Sequence, residues 1–347
     1  MRGKKKVLVY GYFGFENNQL DGQTIKTRSI FELLEFYSRE HPIVVNLFDT
    51  QKFKKSKLNL VKSFLQVSKS DVLFYIPAHN NLKYLFPIIY LICKIRGIDI
   101  HYIVVGGWLS DFIENLPIHQ YMLKRVKGIY PQTKELTILL KEKYCFDNVV
   151  QLHNFRFSEK NRINLKDIQT PVKLVFMARV HPQKGVDTLF KLIDKLETND
   201  VDYFSLDIYG PIYSDYNDTF NRQIEKSSGR IKYCGSVDPS NIPDVLSNYD
   251  LLLFPTEYYT EGFPGTILDA YLANVPVVVS KWKYACEFVE DGKTGLIANF
   301  DDSEDFLDKV IIILKNPEVI NDFKNHISNY VDTFSPEKAW QILKNRI

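Results

Sequence analysis

The chain has 347 residues, of which 45% are hydrophobic and 25% are charged. This length exceeds what one hydrophobic core usually serves, so two domains are expected, and the composition excludes a disordered or collagen-like chain. The four cysteines form no CxxC pair, which disfavours both a zinc site and a secreted disulfide framework. The opening MRGKKKVLVYGYF holds too short an apolar run for a signal peptide, so a cytoplasmic protein is predicted.

The charge is unevenly distributed along the chain. The formal net charge is +2, yet residues 1–160 hold 24 Lys and Arg against 14 Asp and Glu, whereas residues 161–347 hold 20 against 28. A basic half can attract anionic lipid head groups, an anionic substrate or nucleic acid, and a chance excess on solvated surfaces explains it equally well. No recognised nucleic-acid-reading module is present, so no nucleic-acid partner is expected.

The first half alternates predicted strands with predicted helices. Strand-like runs occur in KVLVYGYF, PIVVNLF, DVLFYI and IHYIVVGG, and helical spacing occurs in TIKTRSIFELLEFYSRE, in 82–95 and in TKELTILLKEKY. This βαβ order predicts a parallel sheet.

One apolar segment in this half, 84–93, has two interpretations. It is too short to span a bilayer, and a buried helix explains it. Because Lys83, Lys94 and Arg96 flank it within the basic half, it also suits a peripheral contact with the inner face of a membrane.

A polar segment, 158–170, ends at Pro171 and is the predicted interdomain linker. Beyond it, strands are predicted in VKLVFMA, YFSLDIYG, RIKYCG, DLLLFP and VPVVVS, with helices in DTLFKLIDKLE, PGTILDAYLA and EDFLDKVIIILK. A Ser-Pro-Glu-Lys start predicts one last helix. The predicted domains are therefore 1–157 and 158–334, followed by a C-terminal helix, 335–347, that packs back toward the first domain.

Ligands of open parallel sheets bind at the carboxyl ends of the strands, so two facing domains of this kind would hold their chemistry in strand-end loops. The first such loop, 11–22, has glycines spaced too widely for a dinucleotide fingerprint, which disfavours a dehydrogenase. Gly22 and Gln23 precede a helix, where backbone N–H groups attract phosphate, although a plain turn is an equally simple explanation.

Two further loops carry charged residues. ARVHPQKG brings Arg179 and Lys184 to a strand end, where two cations suit a diphosphate, or are merely solvated surface charges. The segment 255–270 places Glu261 before a glycine-containing turn and Asp269 eight residues later, about two helical turns along, where a carboxylate could hold ribose hydroxyls. An N-capping acid and a solvated helix acid are the alternatives.

Together these segments resemble glycosyltransferase family 4. The likeness rests on ARVHPQKG, DIYG, YCGSV, EGFPGTILDA, ANVPVVVS and EDGKTGLI, in this order. It implies an α/β protein of the GT-B fold, with two facing Rossmann-like domains of parallel sheets and a C-terminal helix. The family's motif of two Glu residues separated by seven others is represented here by Glu261 and Asp269, which keeps the carboxylate on a shorter side chain.

The resemblance also implies roles for individual residues. Arg179 and Lys184 would bind the donor diphosphate, Glu261 the hydroxyls of the transferred sugar and Asp269 the ribose. Gly22 and Gln23 would close over the diphosphate from the other domain. Further donor contacts fall on strand-end and turn residues: Gly210, Val237, Gly262, Phe263, Pro264, Gly265 and Thr266. Asn154 in LHNFR resembles the family's domain-junction asparagine.

One family feature is absent from the first domain. Many relatives have a histidine before a small-residue turn where this chain has VVGGW, at 104–108. His79 could occupy neighbouring space, or be a surface loop residue, and with Trp108 it is an acceptor-site candidate.

The resemblance implies a retaining hexosyltransferase that needs no metal and no cofactor. The donor would be a nucleotide-diphosphate sugar, with UDP favoured over GDP, and the acceptor a glycan or lipid-linked glycan of a bacterial surface polysaccharide. In the family's front-face mechanism a phosphate oxygen of the leaving nucleotide helps to deprotonate the acceptor. A sugar-nucleotide-binding protein without transferase activity and a nucleotide-sugar epimerase are the alternatives, and a nucleic-acid-binding protein is a third.

Overall fold

The computed structural model describes residues 3–16, 21–157, 171–199 and 204–347. Contacts divide the chain into unit 1, Met1–Arg156 with Phe334–Ile347, and unit 2, Phe157–Thr333. The predicted linker 158–170 and part of the first loop, 17–20, lie outside the described residues. Within the described ranges, no helix is both long and apolar enough to cross a membrane.

Unit 1 is α/β, as predicted. Its strands are β1 (Lys5–Gly11), β2 (Ile43–Asp49), β3 (Val72–Ile76), β4 (Asp99–Ile103) and β5 (Gly128–Tyr130). Its helices are α1 (Gly22–Tyr37), α2 (Leu58–Ser68), α3 (His79–Tyr84), α4 (Phe86–Arg96), α5 (Leu109–Ile113), α6 (Pro117–Leu123), α7 (Lys134–Tyr144) and the C-terminal α14 (Pro336–Leu343), with a 3-10 turn at Thr50–Lys54. A further 3-10 turn, Val331–Phe334, spans the point in the sequence at which unit 2 ends and unit 1 resumes.

The sheet of unit 1 is parallel and has the order β2-β1-β3-β4-β5. Both of its faces are covered, because Val7 and Val9 of β1 join one buried cluster and Leu8 and Tyr10 join another. A strand buried on both faces must be apolar at successive positions, which is why β1 reads as the unbroken run VLVY.

The predicted helix over 82–95 is two helices, α3 and α4, which meet at Leu85. Pro87 lies in the first turn of α4, where its missing N–H is tolerated, whereas inside a continuous helix it would remove a hydrogen bond. The prediction of a single helix was therefore wrong at this proline.

Unit 2 is also α/β. Its strands are β6 (Val172–Met177), β7 (Phe204–Tyr209), β8 (Ile231–Tyr233), β9 (Leu251–Phe254), β10 (Val277–Ser280) and β11 (Gly295–Ala298). Its helices are α8 (Val186–Glu197), α9 (Asn217–Lys226), α10 (Ile242–Leu246), α11 (Gly265–Leu272), α12 (Ser303–Lys315) and α13 (Val319–Tyr330), with 3-10 turns at Pro182–Lys184, Ser214–Tyr216, Pro239–Asn241 and Ala285–Glu287.

The sheet of unit 2 is parallel and has the order β8-β7-β6-β9-β10-β11. Counted within the unit, this is the 3-2-1-4-5-6 order of a doubly wound nucleotide-binding sheet, in which the winding reverses between β6 and β9. The reversal opens a crevice at the carboxyl ends of those two strands. The loops after β6 and β9 therefore flank the expected ligand position.

Candidate functional site in unit 2

The loops that follow β6 and β9 are joined to each other directly. The backbone N–H of Glu257 donates to the Gln183 carbonyl oxygen at 3.0 Å, and the Thr256 hydroxyl donates to the same oxygen at 3.3 Å. Gly185 has φ of +71°, and a Cβ there would overlap the carbonyl oxygen of Pro255. Only glycine allows the two backbones to approach this closely, so the two loops are packed directly against each other.

Lys184 and Glu261 form an ion pair at the junction of these loops. Their side chains are only 16% and 13% exposed. The Lys184 Nζ atom also lies 5.6 Å from the ring centre of Phe254 and 5.9 Å from that of Tyr258. The family resemblance assigned both charged residues, from separate motifs, to one ligand, and the fold brings them into contact.

Burial and the nearby Arg179 guanidinium lower the pKa of Lys184 to about 8, because both disfavour its charged form. Arg179 itself is exposed at the end of β6. Two cations and a carboxylate thus meet at the switch point, which is the place where the winding of the sheet reverses between β6 and β9. A bound anion would relieve the repulsion between the cations and raise the pKa of Lys184.

Helix α11 opens beside this pair in sequence and has an uncapped N-terminus. Pro264 is the N-cap residue and contributes no side-chain hydrogen bond, and the first turn holds no acidic residue. The Thr266 hydroxyl in that turn is buried, and no described residue is its hydrogen-bond partner. Unpaired donors at a helix N-terminus suit an anion.

One sequence expectation about this segment needs correction. Asp269 does not lie two helical turns from Glu261, because α11 begins only at Gly265, so that Asp269 lies one turn into the helix and is 5% exposed. The Phe263 ring stacks on Phe288 at 4.0 Å between ring centres. Its side chain is buried, which leaves its backbone for the ligand contact that the family resemblance implies.

The sequence analysis missed the residues that hold this loop from the far side. The Trp282 Nε1–H donates to the Gly262 carbonyl oxygen at 3.3 Å, and the Lys283 N–H donates to the Tyr259 carbonyl oxygen at 2.9 Å. Both follow β10, the strand beside β9. The available signal was a tryptophan two residues after the predicted strand VPVVVS, in a strand-end loop of the kind that was searched for ligand residues.

Gly210 and Val237 follow β7 and β8 on the same sheet. A Cβ at Gly210 would overlap the Ala178 carbonyl oxygen, and the Gly210 N–H donates to the Gly235 carbonyl oxygen at 2.8 Å. Gly210 therefore lets three strand-end loops approach one another. Val237 is half-buried two residues beyond Gly235.

A second polar cluster lies at the start of α8 and was not predicted. Asp187 accepts hydrogen bonds from the Tyr216 hydroxyl at 2.6 Å and from the Gln223 amide at 2.8 Å. Burial and the neighbouring carboxylates of Asp187 and Asp301 raise the pKa of Glu257.

The predicted residues of unit 1 occupy its own strand ends. Gly22 begins α1, but the N-cap is Asp21, which accepts from the Thr24 N–H and hydroxyl, each at 2.9 Å. The Gln23 amide donates to the Ile76 carbonyl oxygen at 3.4 Å. A carboxylate thus caps the helix start at which the sequence analysis expected phosphate, and the pattern Asp-x-x-Thr was the overlooked signal.

The two acceptor-site candidates lie close together in unit 1. The exposed His79 ring lies 5.1 Å from the Trp108 ring and 4.3 Å from the Phe112 ring, centre to centre. Asn154 is buried, and its amide oxygen accepts from the Gln132 amide at 3.1 Å. Among the described residues, no group of three or more His, Cys, Asp or Glu is placed to hold a metal ion.

The family model described as "Glycosyl transferases group 1" matches residues 157–330, which is half of the chain and nearly all of unit 2. The chain belongs to this family. The group 1 domain thus contains the switch point, the Lys184–Glu261 pair and helix α11.

The fold of this group 1 glycosyl transferase is GT-B. The Anabaena protein Alr3699/HepE, solved in complex with UDP and glucose, superposes with a TM-score of 0.75 at 14% sequence identity over 98% of both chains.

Two curated relatives match shorter segments. An uncharacterized 41.2 kDa protein in the cps region of Klebsiella pneumoniae is 31% identical over 38% of this chain. An N,N'-diacetylbacillosaminyl-diphospho-undecaprenol alpha-1,3-N-acetylgalactosaminyltransferase of Campylobacter jejuni is 30% identical over 27% of this chain. The matches span 34% and 24% of those relatives' own lengths.

Proposed function

We propose that this protein is a retaining glycosyltransferase of family 4 that moves a sugar from a nucleotide-diphosphate sugar, preferably a UDP-sugar, to a glycan or lipid-linked glycan. The observation that carries the proposal is the buried Lys184–Glu261 pair at the switch point of a 3-2-1-4-5-6 sheet. The name of the Campylobacter relative, which contains diphospho-undecaprenol, and the UDP bound to the Anabaena protein support donor and acceptor classes of this kind. Bacterial surface polysaccharide synthesis is the proposed setting.

The proposed roles follow from charge and position in unit 2. Arg179, Lys184 and the backbone N–H groups at the start of α11 bind the diphosphate, which is the leaving group. Glu261 accepts hydrogen bonds from hydroxyls of the transferred sugar, and Asp269 from those of the ribose. Because the positive groups are fixed before the reaction, they stabilise the negative charge that grows on the diphosphate without rearrangement of solvent.

In the proposed reaction the bond between the anomeric carbon and the diphosphate oxygen breaks, and a bond to the acceptor oxygen forms on the same face. The acceptor proton passes to an oxygen of the departing diphosphate. The protein mainly supplies position and electrostatic stabilisation.

Donor binding is proposed to exchange the partners of the ion pair. Lys184 gains phosphate oxygens and Glu261 gains sugar hydroxyls, so neither charge is left buried without a partner at any stage. A buried charge that loses its partner costs several kcal/mol. The pair therefore keeps both side chains ordered and desolvated before the donor arrives.

The proposal is tested by thermal unfolding of the full chain with UDP, GDP, ADP and their sugar conjugates, each with and without EDTA. A ligand at one hundred times its dissociation constant adds about 2.7 kcal/mol of stability. One diphosphate nucleotide and its sugar should stabilise the protein equally with and without EDTA, because Arg179 and Lys184 are proposed to act in place of a metal.

The variants Lys184→Gln and Glu261→Gln should lose the stabilisation, whereas Lys226→Gln, at an exposed lysine of the same unit, should keep it. A binding protein without activity would pass this test. Release of the free nucleotide when a glycan acceptor is added would distinguish a transferase from such a binding protein. If no nucleotide stabilised the chain, both functions would be refuted.

A further inference from the structure

Two helices of unit 1 present apolar residues to solvent at helical spacing. In α2 these are Leu58, Val61 and Leu65, and in α4 they are Ile88, Leu91 and Ile95, six residues that are each between 45% and 74% exposed. Both sets follow the i, i+3, i+7 pattern of a single helix face. Each helix therefore has a second apolar face besides the one that it buries.

The opposite face of α4 is also apolar, and it is buried. Phe86, Ile89 and Cys93, at the same i, i+3, i+7 spacing, are fully buried against the sheet. The apolar run of α4 is thus divided between two faces. One face forms core, and the other is uncovered.

The exposed faces of α2, α4 and α6 lie on neighbouring elements. The Arg96 Nε–H at the end of α4 donates to the Ser68 carbonyl oxygen at the end of α2, at 3.3 Å. His119 of α6 is 3.2 Å from the Lys83 carbonyl oxygen, just before α4. Helix α6 adds the exposed Ile118 and Tyr121. We call the exposed apolar residues of these three helices the apolar face.

The three chain segments that form the apolar face carry charges of one sign only, although Lys127 pairs with Asp99 of β4 at 3.7 Å. Segments 57–69, 83–96 and 117–127, which contain the three helices, hold nine Lys and Arg residues and no Asp or Glu. The excess of ten positive charges in residues 1–160 is therefore concentrated beside exposed apolar side chains. A protein partner with an apolar surface does not require that pattern, whereas a bilayer of anionic lipids presents both an apolar interior and a negative surface.

We propose that the apolar face with its surrounding cations is a docking surface for an anionic lipid bilayer. Helices α2 and α4 have 11 residues each, too few to cross a bilayer, so they lie along the interface. Tyr84 and Tyr121 are exposed, and Lys83 and Arg125 lie over their rings at 5.4 Å and 3.6 Å. Tyrosines beside cations are typical of the head-group region.

The inference does not depend on the proposed reaction, because its test measures lipid binding. The full chain is mixed with vesicles of phosphatidylcholine alone or with 30% phosphatidylglycerol, and bound protein is measured by flotation. Binding to the anionic vesicles and its loss at high salt are expected. Lys62→Gln with Lys94→Gln should weaken binding about 25-fold, since each cation near such a surface contributes about fivefold.

Leu91→Glu with Ile95→Glu should abolish binding, whereas Ile138→Glu with Ile312→Glu, at exposed apolar positions of other helices, should not change it. Lys141→Gln with Lys226→Gln is the matched charge control. Circular dichroism and thermal unfolding check that each variant is folded. Failure of the native protein to bind anionic vesicles at low salt would overturn the proposal. If sedimentation then showed a dimer that Leu91→Glu with Ile95→Glu dissociates, the face would be a self-association surface.

Discussion

At the scale of single residues, Lys184 shows how position changes the chemistry of a side chain. A lysine in water keeps its proton far above neutral pH, but burial beside Arg179 lowers the pKa of Lys184 to about 8. The Glu261 carboxylate favours the protonated form and holds it in place. The charge of this lysine therefore changes within a pH range that binding experiments can reach.

Donor binding should consequently weaken as the pH rises above about 8. Bound diphosphate favours protonated Lys184, so its pKa is higher in the complex than in the free protein. The affinity should be constant below pH 8 and fall by up to tenfold per pH unit above it. Calorimetric titration with the stabilising nucleotide between pH 6.5 and 9.5 measures this. In Lys184→Arg, whose guanidinium stays charged, the fall should disappear, and an equal fall there would assign the effect to another group.

Thr266 provides a second test at the residue scale. Its buried hydroxyl has no hydrogen-bond partner among the described residues, so Thr266→Val should leave the free protein as stable or make it slightly more stable. If the hydroxyl serves the donor, the same change should weaken nucleotide binding by about 1 kcal/mol. Urea unfolding and calorimetry on one sample separate the two effects. Lower stability with unchanged affinity would place the hydroxyl in a structural role.

At the scale of elements, the site depends on how strand-end loops pack. The loop after β6 contacts the loop after β9 through Gly185, and the loop after β7 contacts the loop after β6 through Gly210. Each contact places a glycine Cα against a carbonyl group, where no side chain fits. The cations and the carboxylate are therefore fixed by backbone contacts as well as by their own ion pair.

Gly185→Ala should separate these loops. Gly229 also has positive φ, but a Cβ there would meet nothing within 4 Å, so Gly229→Ala should cost only the backbone strain of about 1–2 kcal/mol. Gly185→Ala adds an overlap with Pro255 and should cost about 1–3 kcal/mol more, with loss of nucleotide binding. Chemical denaturation of both variants measures the difference. Equal stabilities would mean that the loops separate without cost.

At the scale of the whole molecule, unit 1 is completed by the end of the chain. Trp340 of α14 stacks on Tyr37 of α1 with ring centres 4.5 Å apart, and Leu343 joins the same buried cluster as Val7 and Val9. The chain thus begins in unit 1, forms unit 2 and returns. The first sheet is not fully covered until the last residues are in place.

Trp340→Ala should therefore destabilise unit 1, although the substitution lies at the opposite end of the sequence. Removal of a buried Trp costs about 3–5 kcal/mol. Hydrogen exchange should become faster in β1, β2 and α1 and remain slow in β6 to β11. Trp282→Ala, at a buried Trp of unit 2, should give the reverse pattern. Faster exchange throughout both units in each variant would mean that they unfold as one.

The sequence by itself determined both parallel sheets, because strands covered on both faces must be apolar along their length and the helices between them amphipathic. It also predicted that Arg179, Lys184 and Glu261 lie in strand-end loops, where ligands of such sheets bind, and the family resemblance assigned them to one ligand. It could not show that Asp21 caps the helix expected to hold phosphate, nor that Trp282 holds the loop of Glu261, because these contacts join residues whose proximity depends on the packed fold.

Only the tertiary structure decided which apolar residues form core and which remain uncovered. Both faces of α4 are apolar, and a buried Ile and an exposed Ile are the same letter in the sequence. The sheet selects the face that it covers. The other face, surrounded by cations, can be recognised as a surface only when its neighbours α2 and α6 are in place.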